Sequence, residues 1–463
     1  MSTIQSFRAK RVKRSTVRVR PVERPDAAGI DLGATVHFVA VPPERDPKPV
    51  RSFATDTAAL HLLADWLVAC GIKTVAMEAT GVYWIPLFQI LEARGLEVVL
   101  ANARHVKNVP ARKTDVQDCQ WLQYLHSVGL LQASFRPPAA VCAIRSLVRQ
   151  RDNLVRTGCE HILRLQKALD EMNVLLHRAV SDITGETGQA ILDAIVAGER
   201  DPAALARLRD RRCKKSESEI AAALRGDWQP EHLFVLRQSL EAWRYHRKLA
   251  AECDAQIQLL IQELTPIAPE PPAAATPATP PQSPPETSAG GADEPLRRLL
   301  LAKFGTDLTA VDGVATGTAL IWLSEVGPAL DKFPSAAHFA SWLGLCPDNR
   351  VSGGRKLATT TRPVANRLAT ALRMAAVSLS RSECALGLWY RRLRAKLGPA
   401  PAVTATAHKI ARILYAMIKL RRPFDPAKLG NPALQRSRHE RSLRRQAASL
   451  GFALQPLLPD AVS

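Results

Sequence analysis

Aromatic side chains are scarce, only 5 % of the 463 residues. Any core must therefore be filled mainly by Leu, Ala and Val, which favours helix-rich packing. The eight cysteines (Cys70, Cys119, Cys142, Cys159, Cys213, Cys253, Cys346, Cys384) include no CxxC pair. Without clustered spacing there is no sequence case for a zinc site or a disulfide framework, and reduced thiols in a cytosolic protein are expected. No apolar run reaches the roughly 18 residues that a membrane span needs, and no signal-peptide core follows the basic N-terminus. A soluble, cytoplasmic chain is the expectation, with no membrane partner. Acids are in deficit as well: 43 Asp and Glu face 63 Lys and Arg, for a net charge of +20 and a pI near 10.0. Such self-repulsion implies a polyanionic partner, of which nucleic acid is the usual kind and a membrane surface the other candidate.

The length suggests two to three domains, and 46 % hydrophobic residues are enough to build their cores. Residues 1–26 form a basic arm, with eight Lys or Arg up to position 25 against the single acid Glu23. Residues 27–139 then read as an α/β domain. Strands are expected at Ala28–Leu32, Val36–Val41, Lys73–Glu78 and Glu97–Leu100, with helices at Asp56–Ala69 and 84–94. Residues 140–264 are helical. Positions 144, 148, 151, 155, 158, 162, 165, 169, 172 and 176 step by four and three, a coiled-coil seam interrupted only by Arg151 and Gly158. A second apolar stripe through Leu236, Leu240, Trp243 and Ile257 belongs either to an antiparallel return helix or to a dimer partner. Residues 265–296 are rich in Pro, Ala, Thr and Ser and read as a tether. Residues 297–420 make a second, mostly helical globular unit, and 421–463 a basic tail.

Four carboxylates stand where phosphodiester chemistry would use them. Asp31 lies near the end of the first strand beside Gly33, expected to permit close approach of backbone or substrate. Glu78 ends a later strand. Asp115 and Asp118 are spaced i, i+3 on one face of a starting helix. Acids on neighbouring strand ends and a facing helix can hold Mg²⁺ or Mn²⁺ and so clamp the attacking and leaving oxygens of a phosphodiester. Taken alone, Asp115 and Asp118 could equally complement a helix N-terminus. Arg104, His105, Lys107, Arg112 and Lys113 flank the acidic pair and would draw DNA phosphates toward it.

In the C-terminal unit, Gly313 and Gly317 sit in an apolar-x-Gly-x-x-x-Gly-x-x-Ala stretch ahead of a helix. This is either a helix-hairpin-helix-like segment, presenting backbone N–H groups to a phosphate, or an ordinary tight turn between helices. Further on, Ser352 precedes Gly353 and Gly354 in a loop, with Arg350, Arg355 and Lys356 around it. Exposure, positive charge and little steric bulk suit a serine that attacks phosphorus, and equally a turn serine that only contacts phosphate.

The ordered set GIDLG, MEATGVYW, NARHVKN, KTDVQD and a distal SGG resembles the DEDD-type transposases of bacterial insertion elements, the serine-dependent, bridge-RNA-guided recombinases of the IS-one-ten kind. The resemblance runs over residues 27–420. It implies a RuvC-like, ribonuclease-H-type sheet in the N-terminal domain, ahead of the helical coiled-coil middle and the mostly α C-terminal transposase domain read above. It places Asp31, Glu78, Asp115 and Asp118 on the family's metal-binding acids, and Ser352 on the nucleophile that forms a phosphoserine link to DNA. It further implies a noncoding bridge RNA that pairs with target and donor DNA. It implies, too, a homo-oligomer (dimer or tetramer) in which the acids of one protomer meet the serine of another, working at the nucleoid. The chain departs from the pattern in its long proline-rich insert, its basic arm and Ala365-Asn366, where many members carry Gly-Asn.

The function expected is thus a transposase that cleaves and exchanges DNA strands. One alternative is a RuvC-like junction nuclease that cleaves with metal-activated water and uses Ser352 only to hold phosphate. A second is a nucleic-acid-binding scaffold with degenerate chemistry, against which the presence of all four acids argues.

Overall fold

The computed structural model describes residues 20–79, 81–101, 114–265, 293–353, 355–358, 360–429 and 432–455. It divides into two compact units, Met1–Arg136 and Pro137–Ser463. Most of the basic arm and most of the Pro-rich segment lie outside the described residues. No helix among the described residues is long and apolar enough to cross a membrane.

The first unit is built on a five-stranded sheet of β1 (Ala27–Leu32), β2 (Val36–Ala40), β3 (Val50–Ala54), β4 (Thr74–Glu78) and β5 (Glu97–Ala101), in the order β3-β2-β1-β4-β5. β1, β2 and β3 form an antiparallel meander, while β4 and β5 run parallel to β1. This mixed sheet, with its helical crossovers, is the RuvC-like arrangement expected. β3 was not foreseen, because an edge strand with the partly exposed sequence VRSFA shows no apolar alternation. Gly33 serves the meander itself: its N–H donates to the Val36 carbonyl at 3.1 Å, and a Cβ would meet that same oxygen at 2.3 Å. The close approach expected at Gly33 is therefore to the chain's own turn.

Strand alternation sorts the sheet into two faces. Ala28, Ile30, Leu32, Val75, Met77 and Leu100 pack into one core with α1 (Thr57–Ala69) and α2 (Trp84–Ala93). α1 starts at Asp56, whose side chain accepts from the Ala59 N–H, and buries Leu60, Leu63 and Leu67. The opposite face receives α3 (Asp115–Ser127), whose Leu122 packs against Ala101.

The second unit begins with α4 (Ala139–Glu171) and continues through four shorter helices, α5 (Leu176–Ala179), α6 (Glu186–Ala197), α7 (Pro202–Arg207) and α8 (Glu217–Ala223). α9 (Pro230–Glu263) then returns antiparallel along α4, pairing Arg151 with Asp254, His161 with His246 and Glu171 with His232. The second apolar stripe is thus a return helix of the same chain. Gly158 is part of the seam, since a Cβ there would already touch Trp243 and His246 at 3.7 Å. Val155 is not, being 44 % exposed. α5 to α8 cap one end of this hairpin around Leu205, Ile220 and Leu236.

The remaining helices are α10 (Glu294–Phe304), α11 (Thr316–Glu325), α12 (Ala336–Trp342), α13 (Arg367–Ser378), α14 (Ala385–Leu397), α15 (Pro399–Leu420) and α16 (Pro432–Ser449). One aromatic cluster lies here, with Trp322, Phe333, Trp342 and Tyr415 all ringed around buried Phe339 or its neighbours. Arg145 and Arg149 of α4 both bond to Glu325, tying the hairpin to α11. Asn366 caps α13, accepting from the Ala369 N–H at 3.0 Å, which accounts locally for that residue. Part of the segment read as a basic tail is the helix α16.

Candidate metal centre and nucleic-acid interface

The four acids are brought together by the two-face logic of the sheet. Gly29 and Asp31 alternate with Ala28, Ile30 and Leu32, so they face α3. The Ile30–Met77 pairing of β1 with β4 precedes Asp31 and Glu78 by one residue on each strand. The two acids thus end adjacent parallel strands, and Glu78 shares its face with Thr74, whose hydroxyl meets His126 of α3 at 2.8 Å. Asp115 and Asp118 occupy the first turn of α3, which opens at Thr114, the residue whose hydroxyl accepts from the Gln117 N–H.

The approach of α3 to the sheet depends on Gly29. A Cβ there would fall 2.2 Å from the Gln123 nitrogen and 2.5 Å from the Cys119 carbonyl. The helix backbone therefore lies directly on β1, held by the Gln123 amide donating to the Ala27 carbonyl at 3.2 Å. Gly29, Cys119, Gln123, Thr74 and His126 position the site, yet none was singled out from the sequence. The GIDLG motif contained the one usable signal, a glycine inside a strand, which marks close backbone approach.

Charge reports the convergence. Burial first, and then the neighbouring carboxylates of Asp115, Asp118 and Glu78, raise the Asp31 carboxyl from 3.8 to about 6. Burial, with Asp31 next, pushes the Cys119 thiol up to about 12, which leaves it an inert protonated wall of the site. Burial, together with Arg24, holds His126 down at about 4, so it packs as a neutral ring. Among the described residues no group of three or more His, Cys, Asp or Glu is placed so as to hold a metal ion. The other three carboxylates are thus close enough to oppose the ionisation of Asp31 without forming a coordination shell. Asp115 is exposed and Asp31, Glu78 and Asp118 half-buried, so the cluster faces solvent. The flanking Arg104, His105, Lys107, Arg112 and Lys113 lie outside the described residues.

In the second unit, Gly313 has φ +82, and a Cβ would strike the Ala375 carbonyl of α13 at 2.7 Å. It makes a tight turn packed on a neighbouring helix. Gly317, in the first turn of α11, has nothing within 4 Å of the place a Cβ would take.

Ser352 was expected in a loop but ends a strand. β6 (Arg350–Ser352) and β7 (Arg355–Ala358) form an antiparallel hairpin in which Ser352 pairs with Arg355. Gly353 takes φ +54, the left-handed backbone that a two-residue hairpin turn requires, and both Ser352 and Gly353 are exposed. The hydroxyl is therefore presented at the tip of a hairpin. Gly354 and the side chains of Arg350, Arg355 and Lys356 lie outside the described residues.

No curated protein matches the chain. Two family models do. The DEDD transposase model of IS110, described as a transposase, matches residues 28–174, a span that holds the acid cluster and α4. The model of the Transposase IS116/IS110/IS902 family matches residues 306–389, which include Gly313, Gly317 and the Ser352 hairpin. Two matches in this order join a RuvC-like acidic unit to a helical transposase unit, and the chain belongs to the IS110 family of transposases.

Proposed function

We propose that the protein cleaves and exchanges DNA strands at the ends of an insertion element, with Ser352 as nucleophile and the four acids as the seat of a divalent cation. The observation that carries the reading is the proton affinity of Asp31, raised by burial and by three other carboxylates. Carboxylates on two neighbouring strand ends and a facing helix support a cation site, and an all-carboxylate donor set suits the hard cations Mg²⁺ and Mn²⁺. Asp31, Glu78, Asp115 and Asp118 would hold the cation, which when bound would supply polarisation of a phosphate oxygen.

The chain's own groups do the rest. The exposed tip of the β6–β7 hairpin can bring the Ser352 hydroxyl to a phosphodiester without steric hindrance. Attack forms a serine–phosphate ester as the bond to the leaving sugar oxygen breaks. That ester conserves the bond energy, so a hydroxyl of a second strand can reverse the step and complete the exchange. Basic residues next to α3 and at the hairpin would neutralise phosphate. The remainder of the proposal, resting on the family resemblance, is that an element-encoded RNA guides a homo-oligomer to its DNA at the bacterial nucleoid.

The test is denaturing electrophoresis of end-labelled DNA after reaction with protein, element RNA and Mg²⁺. The wild type should leave protein attached to one cleaved end, and Ser352→Ala should remove both the adduct and strand exchange. Protein-free ends, cut equally well by Ser352→Ala, would assign the chemistry to activated water and reduce Ser352 to a phosphate contact.

A further inference from the structure

α14 and α15 lie side by side, joined at Gly398, and between them runs a groove of about 1150 Å³. One wall is apolar: Trp389, Leu393 and Leu397 recur every fourth residue along α14. At 1.5 Å per residue that stripe is roughly 12 Å long. The other wall, on α15, presents His408, Lys409 and Arg412. None of the described residues lining the groove is acidic, although acids make up 43 of the 463 residues. The Lys409 ammonium sits 4.6 Å over the Trp389 ring, so a fixed positive charge bridges the two walls. Burial and Arg412 both lower the proton affinity of His408, consistent with a cation-crowded wall that would welcome an anion.

The groove opens onto the serine hairpin. Pro347, Thr360 and Thr361 also line it. Pro347 bridges to Thr361, and the Asp348 N–H donates to the Thr360 carbonyl at 2.8 Å. These are the closing rungs of the hairpin whose tip carries Ser352, about 13 Å of strand further on.

We infer that this groove binds single-stranded DNA running to or from the phosphate that Ser352 attacks, with bases against the Trp389 wall and phosphates on the His408–Arg412 wall. A channel with one apolar, partly aromatic wall and one cationic wall matches the two chemistries of an unpaired strand. A duplex, whose base faces are stacked away, could use only the cations. The inference rests on the strand-transfer reading above, since such a reaction must hold an unpaired strand beside the nucleophile.

Fluorescence anisotropy with the full-length protein in EDTA tests it, comparing one short oligodeoxynucleotide with its duplex and with RNA of the same sequence. Arg412→Glu and Leu397→Glu change exposed positions and should each weaken single-strand binding by about tenfold or more, with duplex binding nearly unchanged for Leu397→Glu and reduced distinctly less than single-strand binding for Arg412→Glu. Arg412→Lys should retain most of the affinity. Arg412→Ala should reduce the slope of log affinity against log salt by about 0.7, one phosphate contact. Thermal melts of each variant establish that it is folded. Unchanged single-strand binding, or equal losses for duplex and single strand, would overturn the inference. So would variant-sensitive binding confined to the RNA, which would give the groove to a guide strand. Because EDTA removes the metal chemistry, a failure here with the Ser352 adduct intact rejects the groove alone. Loss of the adduct with groove binding intact rejects the strand-transfer reading instead.

Discussion

Asp31 shows how a carboxylate proposed to serve function can be unfavourable for folding. Its folded proton affinity, about 6, lies above the ordinary 3.8. Between those values the folded chain binds more protons than the unfolded one, so stability falls as pH rises through that window. The deficit is absent below about 3.8 and complete above about 6. Replacing Asp31 by Asn removes the charge while keeping its shape. Asp31→Asn should therefore raise the thermal midpoint of metal-free protein at pH 8 by on the order of a few degrees and bring no advantage at pH 4. Millimolar Mg²⁺ should raise the midpoint of the wild type but hardly that of Asp31→Asn, because binding to the folded state alone stabilises it. Differential scanning calorimetry across pH, with and without Mg²⁺, reads both effects. A wild type indifferent to Mg²⁺ and Mn²⁺ would count against the acid cluster as a cation site.

At the scale of elements, the site depends on how closely α3 lies against β1. The 2.2 Å clearance at Gly29 leaves no room for a methyl group against helix backbone. Gly29→Ala should force α3 outward and destabilise the first unit by about 1–3 kcal/mol, the usual range for overpacking. It should also weaken the Mg²⁺ response seen by calorimetry, since Asp115 and Asp118 move with the helix. Urea unfolding supplies the first number, and an unperturbed midpoint would show that the contact is slack. This contact also marks where sequence reading stops. The strands β1 and β4, the start of α1 at Asp56 and the four acids were legible because periodicity, caps and motif order are local signals. Gly29 against Cys119 and Gln123 was not, because its partner lies far along the chain. β3 was invisible for a different reason, namely that a half-exposed edge strand carries no alternation. The Ser352 hairpin did have a local signal, Gly353-Gly354 as a two-residue turn, but flanking strands of three and four residues are too short to show a period. In the seam of α4, Val155 kept the spacing and still faces solvent, since spacing alone does not say where a partner helix lies.

For the whole molecule, the proposed function asks how acids and serine on two separate compact units would serve one reaction. The family resemblance points to sharing between protomers, and a mixing experiment can decide it. Asp31→Ala and Ser352→Ala each remove one partner and should be inactive alone. If the acids of one protomer serve the serine of another, mixing the two variants creates oligomers in which one pairing is wholly wild type. Random assembly of a dimer would then restore roughly a quarter of the wild-type active sites, since half the dimers are mixed and each carries one intact pairing. If both groups act within one chain, no mixture can contain an intact site, and the recombination product should stay at background. Quantifying strand-exchange product against the mixing ratio separates the cases. The first gives a maximum at equal amounts, and the second gives a flat line. Co-refolding or co-expression is needed so that subunits mix before DNA is added, and a double Asp31→Ala/Ser352→Ala chain mixed with wild type serves as the control for subunit exchange.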